Sequence, residues 1–406
     1  MVLENEIKNV IELQSNWLLA RESGLKRELI PAISNLKSHA LIISGIRRCG
    51  KSTLLLQIIE QLKNENILYL NFETPQLYNF SINDFSRLNN IIREQKYSYL
   101  FFDEIQLVKG WELFIREKID EGYKIIITGS NASMLSSELG SKLTGRHITQ
   151  ELFPFSFSEY IQFKNLEPNS DSLNQYLIYG GFPGFLKSED NEQLTTLFDD
   201  VLIRDIVARY GIKDIKSLQK LAMFLYSNIG NRITASGIKQ PLSISATSTV
   251  LTWFSHMELS YLVFFLPAYC NSIRAQIVNP KKVYAIDIGM VNSVSVSASE
   301  NIGRKLENLI FLQLRKKYKE IYYYSDKVEC DFVVFKNGKV KELIQVCYEL
   351  SPDNMYRETE GLKIAMAFFG QKKATIVTHS QNDVITEKWG EITIVSADIF
   401  LTKNNL

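Results

Sequence analysis

The stretch from residue 45 to residue 53 constrains the fold of this chain more than any other feature. It reads Gly-Ile-Arg-Arg-Cys-Gly-Lys-Ser-Thr, follows the apolar run Ala40–Ile43 and leads into a second apolar run that starts at Leu54. The two glycines and the Lys-Ser after the second one have the spacing of a P-loop (Walker A motif). The stretch therefore predicts a strand, a phosphate-binding loop and a helix, and with them a nucleotide site.

Each residue type in this loop suits phosphate binding. Glycine permits the backbone angles that point N–H groups inward, and the start of the following helix favours an anion. Lys51 would reach the β- and γ-phosphates, and Ser52 would place its hydroxyl on Mg²⁺. The predicted nucleotide-binding residues are Gly45, Ile46, Arg47, Arg48, Cys49, Gly50, Lys51, Ser52 and Thr53.

Two further strand ends carry polar residues that fit the same site. The apolar run Tyr97–Phe102 ends in Asp103 and Glu104, as a Walker B strand does. Asp103 would hold Mg²⁺ and Glu104 would polarise the attacking water, whereas the alternative is a solvated turn. The run Lys124–Gly129 ends in Ser130 and Asn131. Either side chain would orient the water or sense the γ-phosphate, unless this is an ordinary strand exit.

Composition places the chain among globular proteins of more than one domain. It has 406 residues, 45% of them hydrophobic and 22% charged, and a net charge of +1, which predicts neither nucleic-acid nor membrane affinity as a whole. The four cysteines form no CxxC pair, so we expect reduced thiols. The N-terminus lacks a signal-peptide pattern, and the apolar segment Trp253–Tyr269 is too short and polar to span a bilayer. We therefore expect a cytoplasmic protein without a membrane partner.

The first part of the chain predicts an α/β fold. Alternating strands and helices indicate a parallel sheet that is covered on both faces, with the P-loop at the carboxyl end of its strand. Residues 1–38 read as a helical lead-in, and Trp111–Asp120 reads as a helix between strands. The predicted strands are Ala40–Ser44, Ile67–Phe72, Tyr99–Asp103, Ile125–Gly129 and Ile148–Leu152.

The middle of the chain is mostly helical. A glycine–proline cluster at Tyr179–Phe185 predicts a tight structured turn. Further on, two helices, a longer helix and the strands Tyr261–Leu266 and Val283–Asp287 follow the order of a winged helix. Such a fold reads DNA through its third helix. Because Leu242–Leu266 contains no Lys or Arg, we favour a structural or protein-docking role over DNA readout.

The last part predicts a second α/β domain. Its predicted helices are Arg304–Lys319 and Tyr356–Phe369, and its predicted strands are Ile321–Tyr324, Phe332–Phe335, Leu343–Val346, Thr375–Thr378 and Ile392–Val395. The expected organisation is a P-loop ATPase core (1–153), a helical lid (154–212), a winged-helix-like domain (213–290) and a C-terminal domain (291–406).

Together these motifs resemble a prokaryotic family of AAA-type ATPases with a winged-helix-like middle and a C-terminal restriction-endonuclease-like domain. The resemblance covers nearly the whole chain. It implies Mg-ATP as ligand, and Arg146 as a finger on the nucleotide of a neighbouring subunit in a homo-oligomer. It rests on Gly45–Thr53, Asp103–Gln106 with Trp111, Thr128–Asn131, Gly145-Arg146, Leu152–Glu159, Gly180–Pro183, Tyr284–Gly289 and Glu329–Phe332.

The nuclease-like domain departs from the pattern of an active enzyme. Such a site needs a helix glutamate, a strand aspartate, and an acidic residue and a lysine two apart on the next strand. Glu307 and Asp331 fit the first two positions, but the other two fall on Gln345 and Cys347. An amide is a poor Mg²⁺ ligand and a thiol lacks the charge of lysine, so we expect a catalytically dead, binding or regulatory domain.

Three functions follow from these patterns. The first is an ATPase, with Lys51, Glu104, Asn131 and Arg146 as catalytic residues, that acts on a DNA or protein partner. The second is an ATP-gated, metal-dependent DNA nuclease, which Gln345 and Cys347 oppose. The third is a nucleotide-sensing scaffold that binds a protein partner without hydrolysing ATP.

Overall fold

The computed structural model describes residues 1–31, 36, 38–62, 65–130, 143, 145–190, 192–295 and 302–403. The chain divides into two units, an N-terminal unit of residues 1–152 and a C-terminal unit of residues 153–406. Each unit has its own sheet-centred core.

The N-terminal unit is a parallel sheet with helices between its strands, as the sequence predicts. Its sheet has the order β2-β3-β4-β1-β5, and every residue of β1 and β3 is buried. Continuous apolar strands fit a parallel sheet that is covered on both faces. The strands are β1 (Ala40–Ser44), β2 (Ile67–Asn71), β3 (Tyr99–Asp103), β4 (Lys124–Gly129) and β5 (His147–Glu151). The helices are α1 (Glu4–Leu19), α2 (Lys51–Glu60), α3 (Phe85–Gln95) and α4 (Trp111–Asp120).

The predicted helical lead-in over residues 1–38 is wrong beyond α1. The helix ends at Leu19, and the described residues from 20 to 39 are irregular. Gly24 has φ +60°, a left-handed conformation that interrupts a helix. Instead of continuing the helix, this segment buries Arg27 beside the loop after β1.

The C-terminal unit begins with a helical region and a small antiparallel sheet. Its three strands have the order β6-β8-β7, so β8 is central. The predicted elements follow one another in the predicted order. A short helix between β7 and β8 was not predicted. The helices are α5 (Phe157–Lys164), α6 (Ser170–Tyr179), α7 (Pro183–Ser188), α8 (Glu192–Asp200), a π-helical stretch (Val201–Val207), α9 (Ala208–Tyr210), α10 (Ile215–Ser227), α11 (Ala235–Lys239), α12 (Thr247–Leu259), α13 (Ile273–Val278) and α14 (Ile288–Val294). The strands are β6 (Arg232–Ile233), β7 (Val263–Leu266) and β8 (Lys281–Ala285).

A mixed six-stranded sheet forms the rest of this unit, in the order β13-β14-β12-β11-β10-β9. The sequence predicted five of these strands and two helices, but not β13 or the last helix. Strand β13 is an exposed edge strand without an apolar run to reveal it. The strands are β9 (Glu320–Ser325), β10 (Glu329–Lys336), β11 (Lys339–Val346), β12 (Lys373–Thr378), β13 (Asp383–Glu387) and β14 (Gly390–Ser396). The helices are α15 (Ile302–Lys317), α16 (Pro352–Phe369) and α17 (Ala397–Lys403).

Two glycine-containing motifs of this unit meet at the buried side chain of Asp287. Its carboxylate accepts the N–H of Gly181 at 2.7 Å and caps α14 by accepting the N–H of Met290 at 2.9 Å. A Cβ on Gly180 would lie 2.3 Å from the same carboxylate. The turn after α6 therefore needs glycine because the backbone packs directly against an acidic side chain.

In the described parts of the chain, no helix has both the length and the apolar character needed to cross a membrane.

Candidate nucleotide-binding site

The loop between β1 and α2 has the geometry that its glycines predict. A Cβ on Gly45 would lie 2.1 Å from the carbonyl oxygen of Leu152, so no larger residue fits. Gly50 has φ +103° and forms the N-cap of α2, where few L-residues fit. The start of α2, where a helix offers N–H groups without intrahelical partners, directly follows this loop and suits a phosphate.

Lys51 lies buried within this loop. Its ammonium donates to the carbonyl oxygens of Gly45 and Ile46 at 2.9 and 3.1 Å, and lies 3.6 Å from Glu104 Oε1. Burial lowers the pKa of Lys51, but Glu104 and Asp103 outweigh burial and the pKa is raised. Lys51 is therefore a charged group whose direct partners are weak acceptors, which an anionic phosphate can replace.

Asp103 ends β3 and is surrounded by hydroxyl groups. Ser52 Oγ donates to its Oδ2 at 2.7 Å, Tyr69 donates to the same oxygen at 3.1 Å, and Thr128 donates to Oδ1. Burial raises the pKa of Asp103, and the neighbouring Glu104 carboxylate raises it further. The sequence did not identify Tyr69, in the middle of β2, or Thr128, near the end of β4, although both strands are adjacent to β3.

Glu104 turns its side chain towards Lys51. It has φ +53°, an uncommon conformation for a residue with a side chain. Its N–H donates to Thr128 Oγ1 at 3.3 Å, and Gln106 donates its amide to the Glu104 carboxylate. Burial opposes ionisation, but Lys51 and Arg47 lower the pKa of Glu104, so the carboxylate is charged.

The irregular segment after α1 forms hydrogen bonds to the P-loop and to α2. Arg27 Nη1 donates to the Cys49 carbonyl at 2.8 Å, and the Arg27 N–H donates to Gln57 at 3.0 Å. Gln57 in turn donates to the carbonyls of Ser23 and Leu25, at 2.7 Å each. No sequence pattern predicts these contacts, because polar residues in an irregular segment have no period.

The remaining predicted residues have separate locations. Arg47 pairs with Glu73 at 2.9 Å, and Cys49 is buried, which raises the pKa of its thiol. The Ser130 hydroxyl is buried and has no hydrogen-bond partner among the described residues. Asn131 lies outside the described residues, so its catalytic role stays a prediction.

Arg146 lies away from the P-loop of its own chain. It directly precedes β5 and pairs with Asp120 on the surface. Because β5 runs parallel to β1, the start of β5 lies at the amino end of the strands, whereas the P-loop follows the carboxyl end of β1. A role for Arg146 at a nucleotide would therefore require a second copy of the chain, and it stays a prediction.

The residues present fit Mg-ATP. A serine hydroxyl and a carboxylate within hydrogen-bond distance are oxygen ligands of the kind that Mg²⁺ takes, and Ser52 and Asp103 supply both. Lys51 and the helix start add positive charge for the phosphates.

Comparison with known proteins agrees with this site. Residues 37–161 match a family described as an AAA domain, and residues 170–301 match a domain of unknown function, DUF8612. The uncharacterized protein MJ1544 of Methanocaldococcus jannaschii is 34% identical over 372 residues, which is 86% of this chain and 83% of that protein. This chain belongs to the AAA-type P-loop ATPase family. An uncharacterized protein of Haemophilus influenzae is 32% identical over 344 residues, which is 79% of this AAA-type chain and 85% of that protein.

A solved structure gives a weaker likeness. The structure of AMPPCP-bound DnaA from Aquifex aeolicus is 18% identical, covers 56% of the AAA-type chain and 84% of its own chain, and has a TM-score of 0.31. A score this low does not establish a shared fold over the aligned regions.

The structure brings together three of the four predicted nuclease-like residues. Glu307 on α15 and Asp331 on β10 both accept a hydrogen bond from one lysine ammonium. The Asp331 N–H donates to Gln345 Oε1 at 3.1 Å. Cys347 instead donates its thiol to the Glu349 carbonyl at 3.0 Å. The shared ammonium belongs to Lys282, which directly precedes the predicted strand Val283–Asp287. It lies in β8, and its alternation with the buried Tyr284 on one face of that strand is the signal that was missed.

Proposed function

We propose that this protein is a Mg-ATP-dependent ATPase that couples nucleotide binding and hydrolysis to action on a partner. The observation that supports it most is the Ser52–Asp103 hydrogen bond of 2.7 Å beside the Lys51 ammonium. It joins the two halves of the site, the helix start and the strand end.

Each side chain then has a definite task. Lys51 would exchange the Gly45 and Ile46 carbonyls for phosphate oxygens, and Ser52 with Asp103 would hold the metal ion. Bound Mg²⁺ neutralises charge on the phosphate oxygens. Glu104, charged because Lys51 and Arg47 lower its pKa, orients water and accepts a proton. Gln106 restrains that carboxylate, and its own carbonyl oxygen is buried without a partner among the described residues.

Phosphate release from Mg-ATP by the full chain tests this function. We expect turnover by the natural protein, near-complete loss in Lys51→Ala and Glu104→Gln, and no change in Lys109→Ala, a lysine on an exposed turn. A thermal shift separates binding from hydrolysis, since ATP at a hundred times its Kd stabilises the folded state by about 2.7 kcal/mol. Equal phosphate release from all four proteins contradicts the proposal, and a shift without turnover favours the non-hydrolysing scaffold.

For the partner, we favour a protein over DNA. Helix α12 holds the position of a third, reading helix, yet it contains no Lys or Arg and exposes Leu251 to 53%. Phosphate contacts dominate DNA affinity, and such a helix makes few of them. Duplex DNA should therefore neither bind with a steep salt dependence nor stimulate ATP turnover. Salt-sensitive binding that also raises turnover would reverse this preference.

A further inference from the structure

A single lysine holds the nuclease-like cluster of the C-terminal unit together. Lys282 Nζ lies 2.8 Å from Glu307 Oε1, 2.7 Å from Asp331 Oδ1 and 2.6 Å from Glu329 Oε1. Its side chain is 3% exposed. Lys282 is thus a buried cation in direct contact with three carboxylates.

The carboxylate oxygens around this ammonium have other donors as well. Tyr284 donates its hydroxyl to Glu307 Oε1 at 2.7 Å, and the Val346 N–H donates to Asp331 Oδ2 at 2.9 Å. Arg232 on β6 donates its Nε to Glu329 Oε2 at 2.5 Å. These donors fix each carboxylate so that one oxygen faces the same ammonium.

A catalytic metal does not fit this arrangement. Mg²⁺ needs carboxylate oxygens at about 2.0–2.1 Å in octahedral geometry. The Asp331 and Glu307 oxygens that would bind it already contact Lys282 Nζ, and two cations cannot share that space. The third ligand position holds Gln345, whose carbonyl accepts the Asp331 N–H and whose amide donates to Glu358 at 2.8 Å. Among the residues that the structure describes, no group of His, Cys, Asp and Glu forms a metal site.

We propose that the Lys282 ammonium is the resident cation of this cluster, in the place where a nuclease-like domain would bind a divalent metal. The cluster is therefore a latent divalent-cation site, closed by the chain's own lysine. Removing that ammonium opens it to a divalent ion such as Mn²⁺.

The location of Lys282 gives the closed site a structural role. Lys282 and Arg232 lie on β8 and β6 of the three-stranded sheet, whereas Glu329 and Asp331 lie on β10 of the six-stranded sheet, and Glu307 lies on α15. A metal ion bound by Glu307 and Asp331 would connect only α15 and β10. The lysine instead fastens the small sheet to the large one.

The charge of Lys282 is secure in this setting. Burial lowers the pKa of Lys282, but the Asp331 and Glu307 carboxylates outweigh it, so the pKa lies well above its ordinary value. Removing one partner of a buried charge cluster leaves charges without compensation. A variant without the ammonium should therefore recruit another cation wherever carboxylate oxygens converge.

Binding of Mn²⁺ by the nucleotide-free full chain, followed by electron paramagnetic resonance, tests this proposal. Four proteins are compared: the natural chain, Asp331→Asn, Lys282→Ala, and Lys282→Ala with Asp331→Asn. The P-loop is the same in all four proteins, so any Mn²⁺ bound at Asp103 contributes equally to each measurement. We expect the natural chain and Asp331→Asn to bind Mn²⁺ equally, and Lys282→Ala to bind an additional ion that the double variant loses.

Two results would overturn the proposal. One is Mn²⁺ binding by the natural chain that Asp331→Asn abolishes, because the site would then already be open. The other is a folded Lys282→Ala protein without the additional ion. If Lys282→Ala does not fold, Lys282→Gln, which is shorter than lysine but keeps a hydrogen-bond donor, replaces it, and the comparison of the natural chain with Asp331→Asn remains decisive. Loss of ATP turnover would leave these outcomes unaffected, because no nucleotide is present.

Discussion

Lys51 and Lys282 are both buried lysines beside carboxylates, but their direct partners differ. Lys51 donates to two backbone carbonyls and stays 3.6 Å from the nearest carboxylate oxygen. Lys282 contacts three carboxylates, all within 2.8 Å. The comparison shows that what a buried lysine can do depends on what its ammonium already touches.

The difference follows from where each lysine lies. Lys51 begins a helix, where its direct hydrogen-bond partners are backbone carbonyls and the Glu104 carboxylate lies farther away, at 3.6 Å. Lys282 lies on a central strand that faces acidic residues from a helix and a second sheet. A lysine held by dipoles remains available to an incoming phosphate, whereas a lysine held by carboxylates serves as structure.

Removing the Lys282 ammonium should produce the largest change in stability. Lys282→Met leaves the buried Asp331 and the half-buried Glu307 and Glu329 with one cation fewer, and breaking such a cluster costs about 3–5 kcal/mol. We expect the unfolding transition of the C-terminal unit to move to lower urea concentration. Because two units need not unfold together, Mg-ATP identifies the transitions, as it should shift only that of the N-terminal unit.

A rescue variant separates charge from packing. Lys282→Met combined with Glu329→Gln and Asp331→Asn removes most of the uncompensated charge while keeping the side-chain volumes. It should regain part of the lost stability. A triple variant no more stable than Lys282→Met would mean that the methylene packing of the lysine, and not its charge, stabilises the two sheets.

The sequence singles out the first of these two lysines as a candidate site residue, and that role stays a prediction, whereas it does not single out the second. The P-loop is local, since its glycines, lysine and serine are neighbours in the chain and its helix and strand follow from the adjacent apolar runs. The Lys282 cluster joins residues from β8, α15 and β10 that are up to 49 positions apart. No short-range pattern encodes such a meeting, although Gln345 and Cys347 already depart from the pattern expected of an active nuclease-like site.

Removing the Lys51 ammonium should affect chemistry more than stability. Lys51→Ala should lower ATP turnover by about 10²–10³-fold, the effect of losing one donor to a charged transition state. Without nucleotide, its urea midpoint should fall less than that of Lys282→Met, because Lys51 lies 3.6 Å from one carboxylate whereas Lys282 contacts three. A large stability loss in Lys51→Ala would remove the distinction between the two lysines.

Asp287 extends the comparison to a buried carboxylate held by backbone N–H groups alone. Burial raises its pKa to about 6, from an ordinary value of 3.8. Between these values the unfolded chain releases the proton and the folded chain keeps it, so stability falls as pH rises through that window. The loss amounts to about 3 kcal/mol and is complete above the folded pKa.

Unfolding in urea at about pH 4 and about pH 7 measures this effect. Asp287→Asn cannot titrate, so the difference between the natural chain and this variant isolates Asp287 from other acidic groups. We expect the change in stability from about pH 4 to about pH 7 to be more favourable in the variant than in the natural chain. An equal slope in both proteins would show that the Gly181 and Met290 N–H groups compensate the buried charge fully.

Tyr69→Phe should have the smallest effect. It tests how a carboxylate held by hydroxyl groups, Asp103, differs from one held by an ammonium, Asp331. Asp103 keeps its contacts to Ser52 and Thr128 when the Tyr69 hydroxyl is removed. Losing one hydrogen bond costs about 1 kcal/mol, which corresponds to a roughly fivefold higher Mg²⁺ concentration for half-maximal ATP turnover. Tyr78→Phe, at an exposed tyrosine, is the matched control and should not change it. An equal Mg²⁺ requirement in both variants would show that two hydroxyls orient Asp103 as well as three. A carboxylate held by hydroxyl groups would then tolerate the loss of one hydrogen bond, unlike the carboxylates held by Lys282.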